Sequence, residues 1–188
     1  RETDMLQILV AFENEINKIT KLWYTKKIKK NELTNFGRIN LGLHGLDASY
    51  EMLISKKIVW ENSIGMGMGS SVYGSSVEYL FDFTKPTPYI KSELKYIYNT
   101  ERRISKQKSI LNNSGNYIGL QTKYSFGNNN HYKLNQTLLT EIHWGIQRNL
   151  GKKFLFNTHI GLGYITDFDS KDGHITPTVG LRFGYKMF

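Results

Sequence analysis

The chain has 188 residues, no cysteine, 13% aromatic residues and a net charge of +9. The lack of cysteine excludes disulfides and thiolate metal sites, and no run of about 18 apolar residues is present to make a transmembrane helix. A mean hydropathy of −0.43 matches a soluble protein, but a membrane β-barrel averages the same way because half of each strand is polar.

Residues 1–30 carry the first pattern. Leu6, Leu9, Phe12, Ile16, Ile19 and Trp23 recur every three or four positions, which predicts an amphipathic helix. Thr3 or Asp4 is the candidate cap. The basic run from Lys26 suits the negative end of the helix dipole. Four roles compete for this helix: lying on a membrane leaflet, plugging a lumen, docking on another protein, or packing on its own domain. Leu9, Phe12, Ile16, Ile19 and Trp23 are the candidate membrane or partner contacts. Arg1 is not an initiator methionine and no signal peptide is visible, so an export signal is expected to have been removed.

From Leu33 the period changes to two. Ile39, Leu41 and Leu43 share one parity, and Leu46, Ala48, Tyr50 and Met52 the other, with a phase slip at His44-Gly45. That slip predicts either a bulge in one strand or a turn between two. Residues 58–69 alternate Trp60, Ile64, Met66 and Met68 against Glu61, Ser63, Gly65 and Gly67. Residues 70–88 contain Gly74, Pro86 and Pro88 and predict a long loop, within which Val77, Tyr79, Phe81 and Phe83 alternate as one projecting strand. Strands follow at 89–98 and 117–127, separated by a polar, basic connection with room for one helical turn. Three more alternating segments close the chain, at 137–147, 154–165 and 175–187.

In these last strands one row reads Leu138, Ile142, Trp144, Ile160, Leu162, Tyr164, Phe183 and Tyr185. The other carries Glu141, His143, Gly161, Gly163, Gly180, Arg182 and Gly184. Glycine weakens a strand and packs nothing, so a water-facing glycine row is hard to justify. Placed inside a narrow lumen, the same row leaves room for a few large charged groups. The apolar row then faces lipid, as in outer-membrane barrels.

Read with a turn at His44-Gly45, the chain makes eight strands. Both termini and the basic turns (Lys56-Lys57, Arg102-Arg103, Lys152-Lys153) then share the periplasmic end. The expected fold is therefore all-β: an eight-stranded antiparallel transmembrane β-barrel over residues 33–188, preceded by an amphipathic helix and basic linker over 1–32.

The segment Val179-Gly-Leu-Arg-Phe-Gly-Tyr-Lys-Met-Phe188 resembles the closing strand of Gram-negative outer-membrane proteins. Tyr96-Ile-Tyr-Asn-Thr-Glu-Arg-Arg-Ile-Ser-Lys, Asn112-Asn-Ser-Gly-Asn-Tyr117 and Trp144-Gly-Ile-Gln-Arg-Asn-Leu-Gly151 are similar to small barrels of the Bacteroidota. The resemblance covers residues 36–188 and implies an outer-membrane location. One position departs from it. Lys186 stands where an aromatic residue is usual, two before the terminal Phe, and Tyr185 is out of phase with Phe188.

The predicted lumen holds Asp47, Glu51, Glu61, Glu93 and Glu141 with Arg38, Lys91, Lys95, Lys123, Arg182 and Lys186. Unpaired, each would be costly to bury, so a salt-bridged network that closes the barrel is expected. His143 and His159 are placed to face the lumen near Glu141, as a proton-relay or metal pair. Two histidines are too few ligands to assign a metal, and no cofactor is expected. Ser125 with His143 and Glu141 is the one candidate hydrolytic set. Gly65-Met-Gly-Met-Gly69 is not followed by a helix and is no nucleotide loop.

The expected function is non-enzymatic: an accessory or structural subunit of a larger outer-membrane assembly of secretion, transport or barrel-assembly type. A lipid-modifying envelope enzyme, such as a lipid A acyl hydrolase, and a narrow solute pore are the alternatives. The expected partners are outer-membrane lipids, both lipopolysaccharide and phospholipid, with other outer-membrane proteins as further candidates. Nucleic acid is not expected, because the basic residues gather in turns rather than on an aromatic-rich face.

Overall fold

A computed structural model describes residues 10, 13–22, 32–73, 76–80, 86–128 and 134–188. The chain divides into two units, Arg1–Glu32 and Leu33–Phe188. In the first, residues 13–22 are helical (α1), with Ile16 and Ile19 exposed. Leu9, Phe12, Trp23 and the basic run 26–30, all part of the predicted helix and linker, lie outside the described residues.

Among its described residues the second unit contains ten strands: β1 (Phe36–Gly42), β2 (Gly45–Leu53), β3 (Ile58–Gly67), β4 (Gly69–Tyr73), β5 (Ser76–Leu80), β6 (Thr87–Ile97), β7 (Gly115–Ser125), β8 (Thr137–Leu150), β9 (Phe154–Asp167) and β10 (Gly173–Lys186). Eight of them form one closed antiparallel barrel in the order β1-β10-β9-β8-β7-β6-β3-β2. The pairing of β1 with β10 leaves no open edge.

The phase slip at His44-Gly45 is a turn. Gly42 pairs with Gly45 across it, and Gly45 takes a φ of +116°. Side chains other than glycine rarely adopt that backbone, and a Cβ there would meet the Met66 carbonyl at 2.3 Å. Gly45→Ala should therefore lower the unfolding free energy by about 1–3 kcal/mol, read as a shift in the urea midpoint.

Side chains sort by parity as the alternation requires. Ile142, Ile160 and Ile175 point outward at 60%, 64% and 68% exposure, while Glu61 and Glu93 point inward at 0%. Trp144 and Phe183 lie on the outer surface too, not in a central core. The strand β10 ends at Lys186, but Met187 still donates to the Gly37 carbonyl (2.9 Å) and Gly37 to the Phe188 carbonyl (3.3 Å), and the Phe188 ring lies over Gly37, near Tyr50. A glycine at that outward position gives the terminal aromatic its seat.

One segment differs from the predicted loops. Residues 70–88 do not hold a single projecting strand. The strand β3 stops at Gly67, Gly69 opens β4, and β4 pairs with β5 as a hairpin. Three polar contacts fold this hairpin over the mouth where β8 begins and β9 ends, and a fourth, from the Asn135 side chain, braces Asp167. The Val72 amide donates to Asp167 (2.9 Å), the Asn135 amide group donates to Asp167 (2.8 Å), the Asn135 backbone N–H donates to Ser71 Oγ (3.3 Å), and Ser70 meets Thr137 (2.9 Å). At the other end, the β6–β7 connection forms helix α2 (Thr100–Ser105) and a 3-10 turn, Leu111–Asn113. It packs Ile110 and Ile104 against Leu33, Val59, Ile97 and Tyr117 as a small apolar stopper.

Candidate functional site

The barrel interior is a charge network built on alternate positions of every barrel strand. Glu61 on β3 is its hub. Its carboxylate accepts from Arg38 (2.8 Å), from both Nη atoms of Arg182 (2.7 and 2.9 Å) and from Lys95. Arg182 also reaches Glu93 at 3.2 Å. Glu51 takes Arg38 at 3.1 Å and Lys95 at 2.9 Å, and the Asn113 amide at 2.7 Å. The side chains of Glu51, Glu61, Glu93 and Arg38 are fully buried, so these pairs carry little solvent screening.

A second layer surrounds His143. Its Nε2 lies 3.0 Å from Glu93, and its Nδ1 lies 2.8 Å from Glu141 Oε1. Nε2 of His159 approaches the same Glu141 oxygen at 3.3 Å, and Gln121 donates to it at 3.0 Å. The two imidazoles stack with centroids 4.2 Å apart. Glycines make the room for them. A Cβ on Gly119 would lie 2.3 Å from His143 Nε2, and one on Gly180 would lie 2.1 Å from the His159 ring. This is why the lumenal row mixes glycine with large polar groups.

Most of the predicted lumenal residues meet in this network: Arg38, Glu51, Glu61, Glu93, Lys95, Glu141, His143, His159 and Arg182. Asp47 lies beside it, bound by Asn40 (2.5 Å) and Tyr89 (3.2 Å). Lys91 and Lys123 stand apart. They are directly opposite each other in the β6–β7 register and, among the described residues, neither forms an ion pair. Lys123 instead sits 4.4 Å from the Tyr89 ring centroid. The two lysines, with His44, His159 and Tyr89, border a cavity of about 30 Å³, room for a water molecule or two. Lys186 lies at the rim with its ammonium over the Phe36 ring.

Sequence reasoning missed several members. Asn112 and Asn113, both left-handed at φ 52° and 54°, push backbone and amide into the barrel mouth opposite the β4–β5 hairpin, where Gln147 donates to the Asn112 carbonyl (2.9 Å). Asparagine tolerates that backbone better than most residues, so the Asn-Asn-Ser-Gly run was the available signal. Asn157 and Tyr117, hydrogen-bonded to each other, have no marker beyond inward parity.

The hydrolytic set is not assembled. Ser125 pairs with Thr137 while His143 pairs with Gly119. Ser125 is therefore six positions along β7 from the level of His143, roughly 20 Å at the usual rise per strand residue.

A row of polar residues interrupts the apolar cover of the outer face. Tyr50, Asn62, Ser92, Thr122, Thr140 and Tyr164 pair successively across β2, β3, β6, β7, β8 and β9. Trp60 donates its indole N–H to Ser92 at 2.8 Å. Among the described residues, the side chains of Asn62, Thr122 and Thr140 have no hydrogen-bond partner. The short side chains of Asn62, Ser92 and Thr122 make the floor of a groove walled by Ile64, Ile90, Tyr124 and Leu138.

In comparisons with known proteins, the chain matches no family model, no curated protein and no solved structure.

Proposed function

We propose that this protein is a non-enzymatic, solute-tight barrel of the bacterial outer membrane, serving as an accessory or structural subunit of a larger outer-membrane assembly. The observation that carries the subunit reading is the outward ladder Asn62-Ser92-Thr122-Thr140. Elsewhere the outer face is mainly Ile, Leu, Val, Met, Phe, Tyr and Trp, the side chains that hydrocarbon tolerates, and the outward Thr158 hydroxyl donates to the Gly180 carbonyl at 2.9 Å. An amide and two hydroxyls without partners are costly against lipid tails. A neighbouring protein that docks in the groove would supply donors and acceptors across the interface.

The lumen supports the solute-tight part. It is filled at mid-height by the Glu61 hub and covered at one mouth by the β4–β5 hairpin and at the other by the Asn112-Asn113 segment. Eight strands leave space for side chains and little more, which argues against the narrow pore. The distance of Ser125 from His143 argues against the acyl hydrolase. The resemblance of the closing strand to outer-membrane proteins favours the location, with lipopolysaccharide and phospholipid around the apolar face.

Photo-crosslinking in intact cells tests the reading. A photoreactive residue at Ser92 or Thr122 should give one discrete protein adduct. The same residue at Ile160 or Val179, on the outer face of β9 and β10, should give lipid adducts alone. Lipid adducts alone from all four positions would defeat the subunit reading.

A further inference from the structure

Glu141, His143 and His159 were grouped in sequence as a histidine pair lacking a third donor; folding makes the carboxylate that donor. Side chains two apart on β8 share a face, and the register places Gly145 opposite His159 and His143 opposite Gly161. His159 is thus the diagonal inward neighbour of His143. One donor atom from each of the three residues lies within 4.8 Å of the others, with Glu141 and His143 buried and His159 half-buried.

Two details separate this from an ordinary ion-pair cluster, and the spacing of the donors allows a shared ion. The Nδ1 of His143 is buried and lacks an aligned hydrogen bond, although Glu141 Oε1 is only 2.8 Å away. The atoms are close but do not aim at each other, as when both aim at a third point. The separations from Glu141 Oε1 to the two imidazole nitrogens, 2.8 and 3.3 Å, are also those of hydrogen bonds, but they are short enough for the three donors to share one ion. Finally, the far nitrogen of His143 faces Glu93 at 3.0 Å. Metal-bound histidines regularly place their second ring nitrogen against a carboxylate, which fixes ring and tautomer.

We propose that Glu141 Oε1, His143 Nδ1 and His159 Nε2 bind one divalent transition-metal ion of the zinc or copper type inside the barrel, with Glu93 as the positioning residue behind His143. Two imidazoles and one carboxylate suit such ions better than magnesium or calcium, which take oxygen ligands. The remaining coordination position falls to water, for which the cavity beside His159 has room. Both imidazoles bind as neutral rings, so the metal replaces any proton held at His143 Nδ1. The ion ties β8 to β9, and it is buried too deeply for a large substrate. Its role is therefore to lock the barrel or to report metal supply during folding. The inference does not depend on the subunit reading, because the three donors are internal to one chain.

The test uses the full chain refolded into detergent micelles with Co²⁺, then freed of unbound metal. One Co²⁺ per chain is expected, with visible d–d absorption that Zn²⁺ abolishes on displacement. His159→Asn should weaken binding at least 100-fold, and Glu93→Gln about 10- to 100-fold. Folding of each variant is checked by its unheated mobility in SDS gels. Should the variants fail to fold, pulsed EPR of the Cu²⁺-loaded wild type decides, and coupling to two imidazole nitrogens is expected. The site is ruled out if the folded wild type retains no stoichiometric metal, if a folded His159→Asn variant binds as well as wild type, or if EPR shows coupling to other than two imidazoles.

Discussion

Glu61→Ala is expected to be the most damaging single truncation in the barrel. It removes the common acceptor of Arg38, Arg182 and Lys95, whose side chains are 0%, 10% and 1% exposed. The three cations keep only Glu51 and Glu93, which already have partners of their own. Breaking a buried pair by removing one partner costs about 3–5 kcal/mol, because the remaining charge is left uncompensated, and here the loss is shared by three. Unfolding in urea from lipid vesicles, followed by tryptophan fluorescence, should show a large drop in midpoint with an unchanged slope. The exposed pair Lys57–Glu101 is the control. Its nitrogen–oxygen distance is also 2.8 Å, and the hydrogen bond between the two raises the Lys57 pKa and lowers that of Glu101. Both groups are in water, however, where such pairs contribute little, so Glu101→Gln should leave the midpoint where it was. If Glu61→Ala behaved like Glu101→Gln, water would have to reach the hub freely and the lumen would not be closed.

The same contrast explains what could be read from the chain. Parity alone sorted Trp144 from His143 and Phe183 from Arg182, because an unbulged strand alternates strictly and a barrel has only two faces. The turn at His44-Gly45 was visible as a change of phase, though choosing it over a bulge required counting strands. Partnerships were not visible. Arg182 and Glu61 meet across the lumen from 121 positions apart, and that pairing follows from the stagger of closure rather than from any local pattern. Lys91 and Lys123 show the converse. Each looked like one side of an ion pair, yet the register sets them against each other. The β4–β5 hairpin escaped because its strands are five residues each and rich in serine. Asn62, Ser92, Thr122 and Thr140 each sit as single polar residues in otherwise apolar rows, and only the folded register lines them up.

Ile160→Arg on β9 is expected to distinguish hydrocarbon from water around the barrel. Ile160 faces outward at 64% exposure, midway along a strand whose ends carry Phe154 and Asp167. Were this face solvated, replacing an exposed isoleucine with arginine would change stability by no more than about 0.5 kcal/mol. Against lipid, arginine near the bilayer midplane costs about 2–4 kcal/mol, falling to roughly 0–1 kcal/mol at the interfaces. The informative measurement is therefore a profile along one strand: Phe154→Arg, Ile160→Arg and Tyr164→Arg, each unfolded from vesicles of the same lipid. The physical cause is desolvation of the guanidinium, which a long side chain relieves near the surface by reaching for water. The loss should thus be greatest at Ile160 and shrink toward Phe154. The lumen cannot produce such a profile, because all three substitutions point away from it. A flat, near-zero series would mean that water covers these side chains, and the aromatic and aliphatic exterior would then have to be explained by burial against protein over its whole circumference.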